Sequence, residues 1–251
     1  MSKKIVFITS SFPYGKSEVW AINEINSLMD LGNDITIIPR SGQGKIINQD
    51  AIKFSSNLID LPYINFKIFI IFLRSIAFNP LNFLKLLIGI VKQSNTIIDF
   101  VKAIIVMPKS IFSAKLLHGE GINHVHSLST TSAAVMAYII SSNLEVPWSY
   151  TLHSSSVLNS KYKRSFLFQS QSASKCRTIS KIIANDLSNF IGPSLSKKVS
   201  TVHLGVDTQG YIKEKININD PLIIATPAEL KEHKGHVYAI KAAKKLIDIG
   251  V

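Results

Sequence analysis

Apolar positions recur along this chain in two rhythms. Lys3–Thr9 (KKIVFIT) is a short, continuous apolar run of the kind that fills a buried strand, and it leads into the turn-like Ser10–Gly15. Over Ser17–Leu31 the apolar residues Ile22, Ile25, Leu28, Met29 and Leu31 return at three- and four-residue spacing. This predicts a helix with Ser17 as N-cap and Gly32 as its C-terminal stop. Asp34–Pro39 (DITIIP) is the next strand. A helix between two buried strands predicts a β-α-β unit and a parallel sheet with right-handed crossovers. The alternation resumes downstream, with strands predicted at Ile122–His126, Pro147–His153, Lys175–Ser180 and Val199–His203. Helices are predicted between them at Thr131–Asn143, Lys161–Ser172 and Lys181–Ile191. The fold class is therefore α/β, a doubly wound parallel sheet of Rossmann-like type over residues 1–206. Residues 207–220 lose the periodicity and are predicted to be a linker. Pro221–Thr226 and Gly235–Ile249 then repeat the strand–loop–helix theme, so residues 221–251 are expected to be the incomplete start of a second Rossmann-like domain.

Tyr63–Val91 follows a third pattern. It is overwhelmingly apolar, but Lys67, Arg74 and Lys85 interrupt it and Pro80 stands in its middle. Its longest uncharged run, Ser75–Leu84, is ten residues, against the ~20 needed to span a bilayer. Two amphipathic helices hinged at Asn79–Pro80 are predicted instead. Across residues 61–120, seven lysines and arginines face only Asp99 and Glu120, a net of +5. Apolar helix faces edged with cations suit the headgroup layer of an anionic membrane, and peripheral contact is expected through residues 63–92.

Composition narrows the choice of class. At 251 residues the chain exceeds the ~150-residue domain prior, which fits one domain plus part of another. An apolar fraction of 46% with 12 Gly and 9 Pro excludes a disordered or collagen-like chain. The single Cys176 excludes a disulfide framework and a multi-cysteine metal site. With 28 Lys and Arg against 16 Asp and Glu, the net charge is +12, which points to an anionic partner. Met1–Thr9 lacks the apolar core and cleavage site of a secretory signal, so a cytoplasmic location is expected.

Familiar phosphate-binding and metal-binding motifs are missing. There is no GxxxxGK loop, no GxGxxG after the first strand and no HExxH, and His124 and His126 bring no third ligand in sequence. No nucleic-acid module is visible either. What remains is a set of polar residues at successive strand ends: His126, His153, Ser180 and Gly205–Asp207. Ligands of open parallel sheets bind at the carboxyl ends of strands, where the strand order reverses.

The ordered series of segments resembles family 4 glycosyltransferases of the two-domain GT-B type, in the branch that serves exopolysaccharide and colanic-acid-type assembly. The stretch SFPYGKSEVWAINEINSL resembles that branch's FPxxSETFxxxEIxxL opening. Phe12, Pro13, Ser17, Glu18, Glu24, Ile25 and Leu28 match, and Val19 and Trp20 replace its Thr-Phe pair. His124, His126, Pro147, Thr151 and His153 match an H-x-H…P-x-s-x-T-x-H block, with Ser156 where the family carries Asp. Ser180 matches a strand-end serine. VHLGVDTQGY resembles the family's V-x-N-G-V-D hinge with Leu204 for Asn. Lys234, Gly235 and His236 match the opening of the donor domain, and Glu229 stands where a donor-phosphate arginine is usual. The family's E-x7-E carboxylates have no counterpart among the seven glutamates here, so the chain is expected to be a truncated form ending inside the donor domain.

The resemblance implies a retaining, metal-independent transferase. It would move sugar from a nucleotide diphosphate sugar, as co-substrate, to a lipid-linked or polysaccharide acceptor at the inner face of the membrane. It implies His153 as the catalytic group, hydrogen-bonded to the donor sugar near the reacting carbon. Lys234 would neutralise the leaving diphosphate. Phe12, Gly15, Glu18 and His126 would line the acceptor side, and Ser180 and Gly205 would complete the cleft. The competing expectation is a non-catalytic membrane-surface or partner-binding module.

Overall fold

The computed structural model describes residues 2–14, 18–63, 65–206, 208 and 223–250. The chain divides into two compact units, Met1–Asp207 and Thr208–Val251. The first is built on one parallel sheet of six strands: β1 Lys4–Thr9, β2 Asp34–Pro39, β3 His124–Ser127, β4 Trp148–Leu152, β5 Lys175–Thr178 and β6 Val199–Thr201. Their order across the sheet is β2-β1-β3-β4-β5-β6. The chain thus steps one way from β1 to β2 and then crosses back over β1 to β3, so the strand order reverses between β1 and β3. All six strands fall where the apolar runs predict them.

The sheet separates two apolar clusters. Phe7, Ile35 and Ile37 pack with α1 (Ala21–Asp30), Phe12 and Phe54 on one face. Val6, Ile8, Val125, Tyr150 and Cys176 pack on the other with the remaining helices. These are α2 (Phe66–Phe78), α3 (Pro80–Gln93), α4 (Ile97–Leu117), α5 (Ser132–Leu144), α6 (Lys163–Ser172) and α7 (Lys181–Ile191), followed by the single-turn α8 (Pro193–Ser196). Helices on both faces explain why the strands read as continuous apolar runs rather than alternating ones.

The first helix begins later than its periodicity predicts. Ser17 lies outside the described residues, and Glu18 takes a left-handed φ of 68° with Val19 and Trp20 in a turn, so the helix starts at Ala21. The Glu18 carboxylate bends back onto the backbone of the preceding loop, which a helical residue there would prevent. At the other end Gly32, with φ 81°, closes the helix as expected by donating from its N–H to the Met29 carbonyl at 2.8 Å.

The apolar, basic segment forms two helices that meet at Asn79–Pro80 with a bend of 108°. Asn79 caps α3, with its side chain accepting from the Asn82 N–H, and Pro80 occupies the first helical position. Among the described residues no single helix is long and apolar enough to cross a membrane. The 21-residue α4 is the longest helix and contains Pro108. Its Lys109 is fully buried, and Nζ donates to the carbonyls of Ser41 at 2.7 Å and Leu61 at 2.9 Å. This ties the segment after β2 to the helix layer, and burial pushes the ammonium pKa down to about 8.

In the second unit the helix α9 spans His236–Asp248, entered through Gly235 at φ 73°. The strand expected over Pro221–Thr226 is not formed among its described residues, 223–226. Among the described residues this apolar run pairs with no strand, and Ile223 is exposed. The predicted linker, apart from Thr208, lies outside the described residues.

Candidate functional site

The expected site residues stand in the loops after β1, β4, β5 and β6 and on β3, in a sheet whose strand order reverses between the paired strands β1 and β3. The loop after β1 is shaped by Glu18. Its carboxylate accepts hydrogen bonds from the backbone N–H groups of Ser10 at 2.9 Å, Ser11 at 3.0 Å and Phe12 at 3.1 Å. The Thr9 hydroxyl donates to the Phe12 carbonyl at 2.7 Å. Converging amides on one buried carboxylate make a rigid turn, each such bond being charge-assisted. The Glu18 carboxylate thus holds the loop after β1 in shape through these amides. Phe12 is 1% exposed and packs edge-on against Phe54 at 5.9 Å, so its ring anchors the loop from below and does not line a cleft. Gly15 lies outside the described residues.

His153 follows directly on β4. Its Nε2–H donates to the Leu128 carbonyl at 3.1 Å, fixing the tautomer and leaving Nδ1 as an acceptor without a partner among the described residues. Burial holds its pKa below the ordinary histidine value, with the nearby Arg177 cation adding to the effect, so the ring is neutral at pH 7. Trp20 lies against the imidazole with ring centroids 4.1 Å apart. The turn at the start of α1 and the end of β4 are therefore in contact. An indole beside a half-buried imidazole gives a platform with one free acceptor, suited to a hydroxyl group on a ring-shaped ligand.

His126 is placed differently. It points into the face of the sheet, where Nδ1 meets the Ser149 hydroxyl at 2.7 Å and Nε2 meets the Thr151 hydroxyl at 3.0 Å. Both ring nitrogens are occupied, the residue is 7% exposed, and burial pushes its pKa down to about 3. The Ser149 hydroxyl also meets His124 Nε2 at 2.7 Å. His126 is thus a buried histidine held through both ring nitrogens by the strand beside it.

Ser180 caps α7, its hydroxyl accepting from the Ile183 N–H at 3.3 Å at the exit of β5. Gly205 follows β6, and its carbonyl accepts from the Asn23 side chain of α1 at 3.5 Å. Lys234 belongs to the second unit, in the short turn Glu232–Lys234 before α9. Glu229 in the same unit pairs with Lys231 at 2.7 Å, and that cation holds its carboxyl below the usual range.

Two participants escape a reading of the sequence. Trp20 stands where the family pattern has Phe, and only its contact with His153 reveals its place. Arg177 on β5 pairs with Glu24 on α1 across the α1 face of the sheet, and its field reaches both His126 and His153. An arginine between Cys176 and Thr178 on a short strand carries no sequence signal of such a partner.

Among solved structures the chain resembles HepE from Anabaena in complex with UDP-glucose, with a TM-score of 0.51 and 12% identity over 81% of this chain and 44% of that one. A glycosyltransferase from Rickettsia africae matches with a TM-score of 0.50 and 14% identity over 82% of this chain and 44% of that one. At these identities the likeness is one of fold alone, an α/β arrangement of Rossmann-like type. The chain spans less than half the length of these solved proteins. No protein-family model and no curated protein matches it.

Proposed function

We propose that this chain is the acceptor-side part of a family 4-type glycosyltransferase of the exopolysaccharide branch. It would transfer sugar from a nucleotide diphosphate sugar to a lipid-linked or polysaccharide acceptor, with retention of configuration and without a metal. One observation carries this reading: His153 stands neutral at the mouth of the sheet, beside the strand-order reversal, with Nδ1 free and Trp20 against its ring. A neutral imidazole there accepts a hydrogen bond from a sugar hydroxyl without drawing the diphosphate away from its own site. The HepE structure holds UDP-glucose, which makes that nucleotide sugar the donor to try first. Lys234 would face the leaving diphosphate, and the exposed apolar faces of α2 and α3 would hold the protein at the cytoplasmic side of an anionic membrane, where a lipid-linked acceptor resides.

The test is sugar transfer from UDP-glucose by the chain joined to a donor-binding half. His153→Ala should lower turnover by about 10²–10³-fold, the range for removing one preorganised hydrogen bond to a reacting group. Unchanged turnover would remove His153 from the chemistry and the proposal with it. A non-catalytic membrane module is the second reading, favoured by the exposed Phe66, Phe69, Phe78, Leu81 and Leu84 of α2 and α3.

A further inference from the structure

The first turn of α1 is held over the sheet by two kinds of contact. On one side Ala21, Ile22 and Ile25 pack with Phe7, Ile35 and Ile37, which come from β1 and β2. Towards β4 and β5 the same face of the sheet is polar. His126 meets the Ser149 and Thr151 hydroxyls there, and the register sets Arg177 of β5 beside Thr151 of β4. Alternate residues of a strand share a face, so His153, two residues beyond Thr151, follows it on the side that α1 covers. Its contact with Trp20 agrees with that placement. Among the described residues the apolar cluster around α1 takes nothing from β4 or β5. The tie on that side is ionic.

Arg177 makes it. One of its terminal nitrogens pairs with the Glu24 carboxylate, and the other donates to the Val202 carbonyl at the exit of β6 at 3.4 Å. Asn23, next to Glu24, donates from Nδ2 to the Gly205 carbonyl at 3.5 Å. The ion pair is largely buried, its side chains 12% and 15% exposed. A planar guanidinium bonded through two nitrogens fixes the direction as well as the reach of its partner. Trp20 already has helical dihedrals, φ −59° and ψ −21°, so Trp20 and Glu24, four residues apart, lie on one side of the helix start.

We infer that Arg177 is a positioning residue for the Trp20–His153 pair: by gripping Glu24 it holds the first turn of α1 down on β4 and keeps the indole against the imidazole. The use of that pair on a sugar rests on the transferase reading above. The grip rests on the geometry alone.

The same ion pair balances the charge around His153. Burial is the largest influence on the ring. Of the charges facing it, Arg177 from β5 opposes protonation, and Glu24 from α1 and Glu18 from the turn before α1 favour it. His126 from β3 also faces it and is uncharged at neutral pH. Removing one partner of the pair leaves the field of the other unopposed.

The experiment is an NMR pH titration of the whole chain carrying 13C-labelled histidine, with the His153 signals assigned by their absence in His153→Gln. Trp20→Ala defines the displacement that the indole ring imposes on those signals. Arg177→Met and Glu24→Ala, which cut the grip at either end, should each lose at least half of that displacement. Arg177→Met should also raise the titration midpoint of His153. Glu24→Gln keeps an oxygen for Arg177 but removes the negative charge, so it should keep the displacement and lower the midpoint. General loosening would hydrate the ring and raise the midpoint in both variants, so opposite signs separate the grip from a merely structural role. The inference is overturned by full displacement in Arg177→Met and Glu24→Ala, or by a midpoint in Glu24→Gln that stays or rises, a variant that keeps the size of the parent side chain. Opposite midpoints and a lost indole, with sugar transfer from UDP-glucose unchanged in Arg177→Met, would leave the grip standing and count against the transferase reading instead.

Discussion

Three histidines on neighbouring strands share a depressed pKa for one main reason, the burial that disfavours the imidazolium. His126 is the extreme case. In the unfolded chain it takes up a proton near pH 6.5, and in the folded protein only near pH 3. Between those values the unfolded state binds more protons, so stability is fully present above about pH 6.5 and is lost as the pH falls towards 3. Thermal melts from pH 7 to pH 4 should show a falling midpoint, with this residue contributing at most about 1.4 kcal/mol per pH unit. His126→Gln, which keeps a neutral hydrogen-bonding group, should flatten that slope. An unchanged slope would place the acid sensitivity elsewhere. From sequence alone His126 and His153 looked alike, each a polar residue near a strand end. Which of them faces the sheet interior depends on register and on the hydroxyls of Ser149 and Thr151 across the ladder, and spacing along one strand does not encode that.

Among elements, the strands were the easiest to read, because a parallel sheet buried on both faces demands apolar runs. The hinge of α2 and α3 was equally legible, since Asn79–Pro80 both caps and starts a helix. The long α4 was not, because Pro108 interrupts its pattern and burial on several sides, Lys109 included, erases a clean polar face. The start of α1 was misread for a different reason: Glu18 gives up helical geometry to gather the amides of the β1 loop. The contact between α3 and α5 turns on Gly89. A Cβ there would stand 2.3 Å from Tyr138 Oη and 2.7 Å from its Cζ, and that ring is itself wedged edge-on against Phe168 and Trp148. Alanine is the better helix former by about 1 kcal/mol, but the ring cannot withdraw. Gly89→Ala should therefore lower stability by roughly 1–3 kcal/mol in a urea melt. Neutral or higher stability would mean that the helices part without loss.

For the whole molecule, the excess of positive charge has an address. Lys67, Arg74, Lys85 and Lys92 are exposed on α2 and α3 beside exposed Phe66, Phe69, Phe78, Leu81 and Leu84. Each such cation is worth about 1 kcal/mol near an anionic leaflet, and the attraction is screened by salt. The chain should co-sediment with phosphatidylserine vesicles, release as salt is raised, and lose binding in the double variant Phe66→Ser, Leu81→Ser. Equal recovery with neutral vesicles would argue for another role for this face. The 108° bend between the two helices adds a geometric consequence. One rod resting on a surface is free to roll about its long axis, but two rods that are not collinear define a plane. A protein held by both limbs of this elbow has its tilt fixed as well as its height, and the mouth of the sheet is then presented to the membrane at one constant angle.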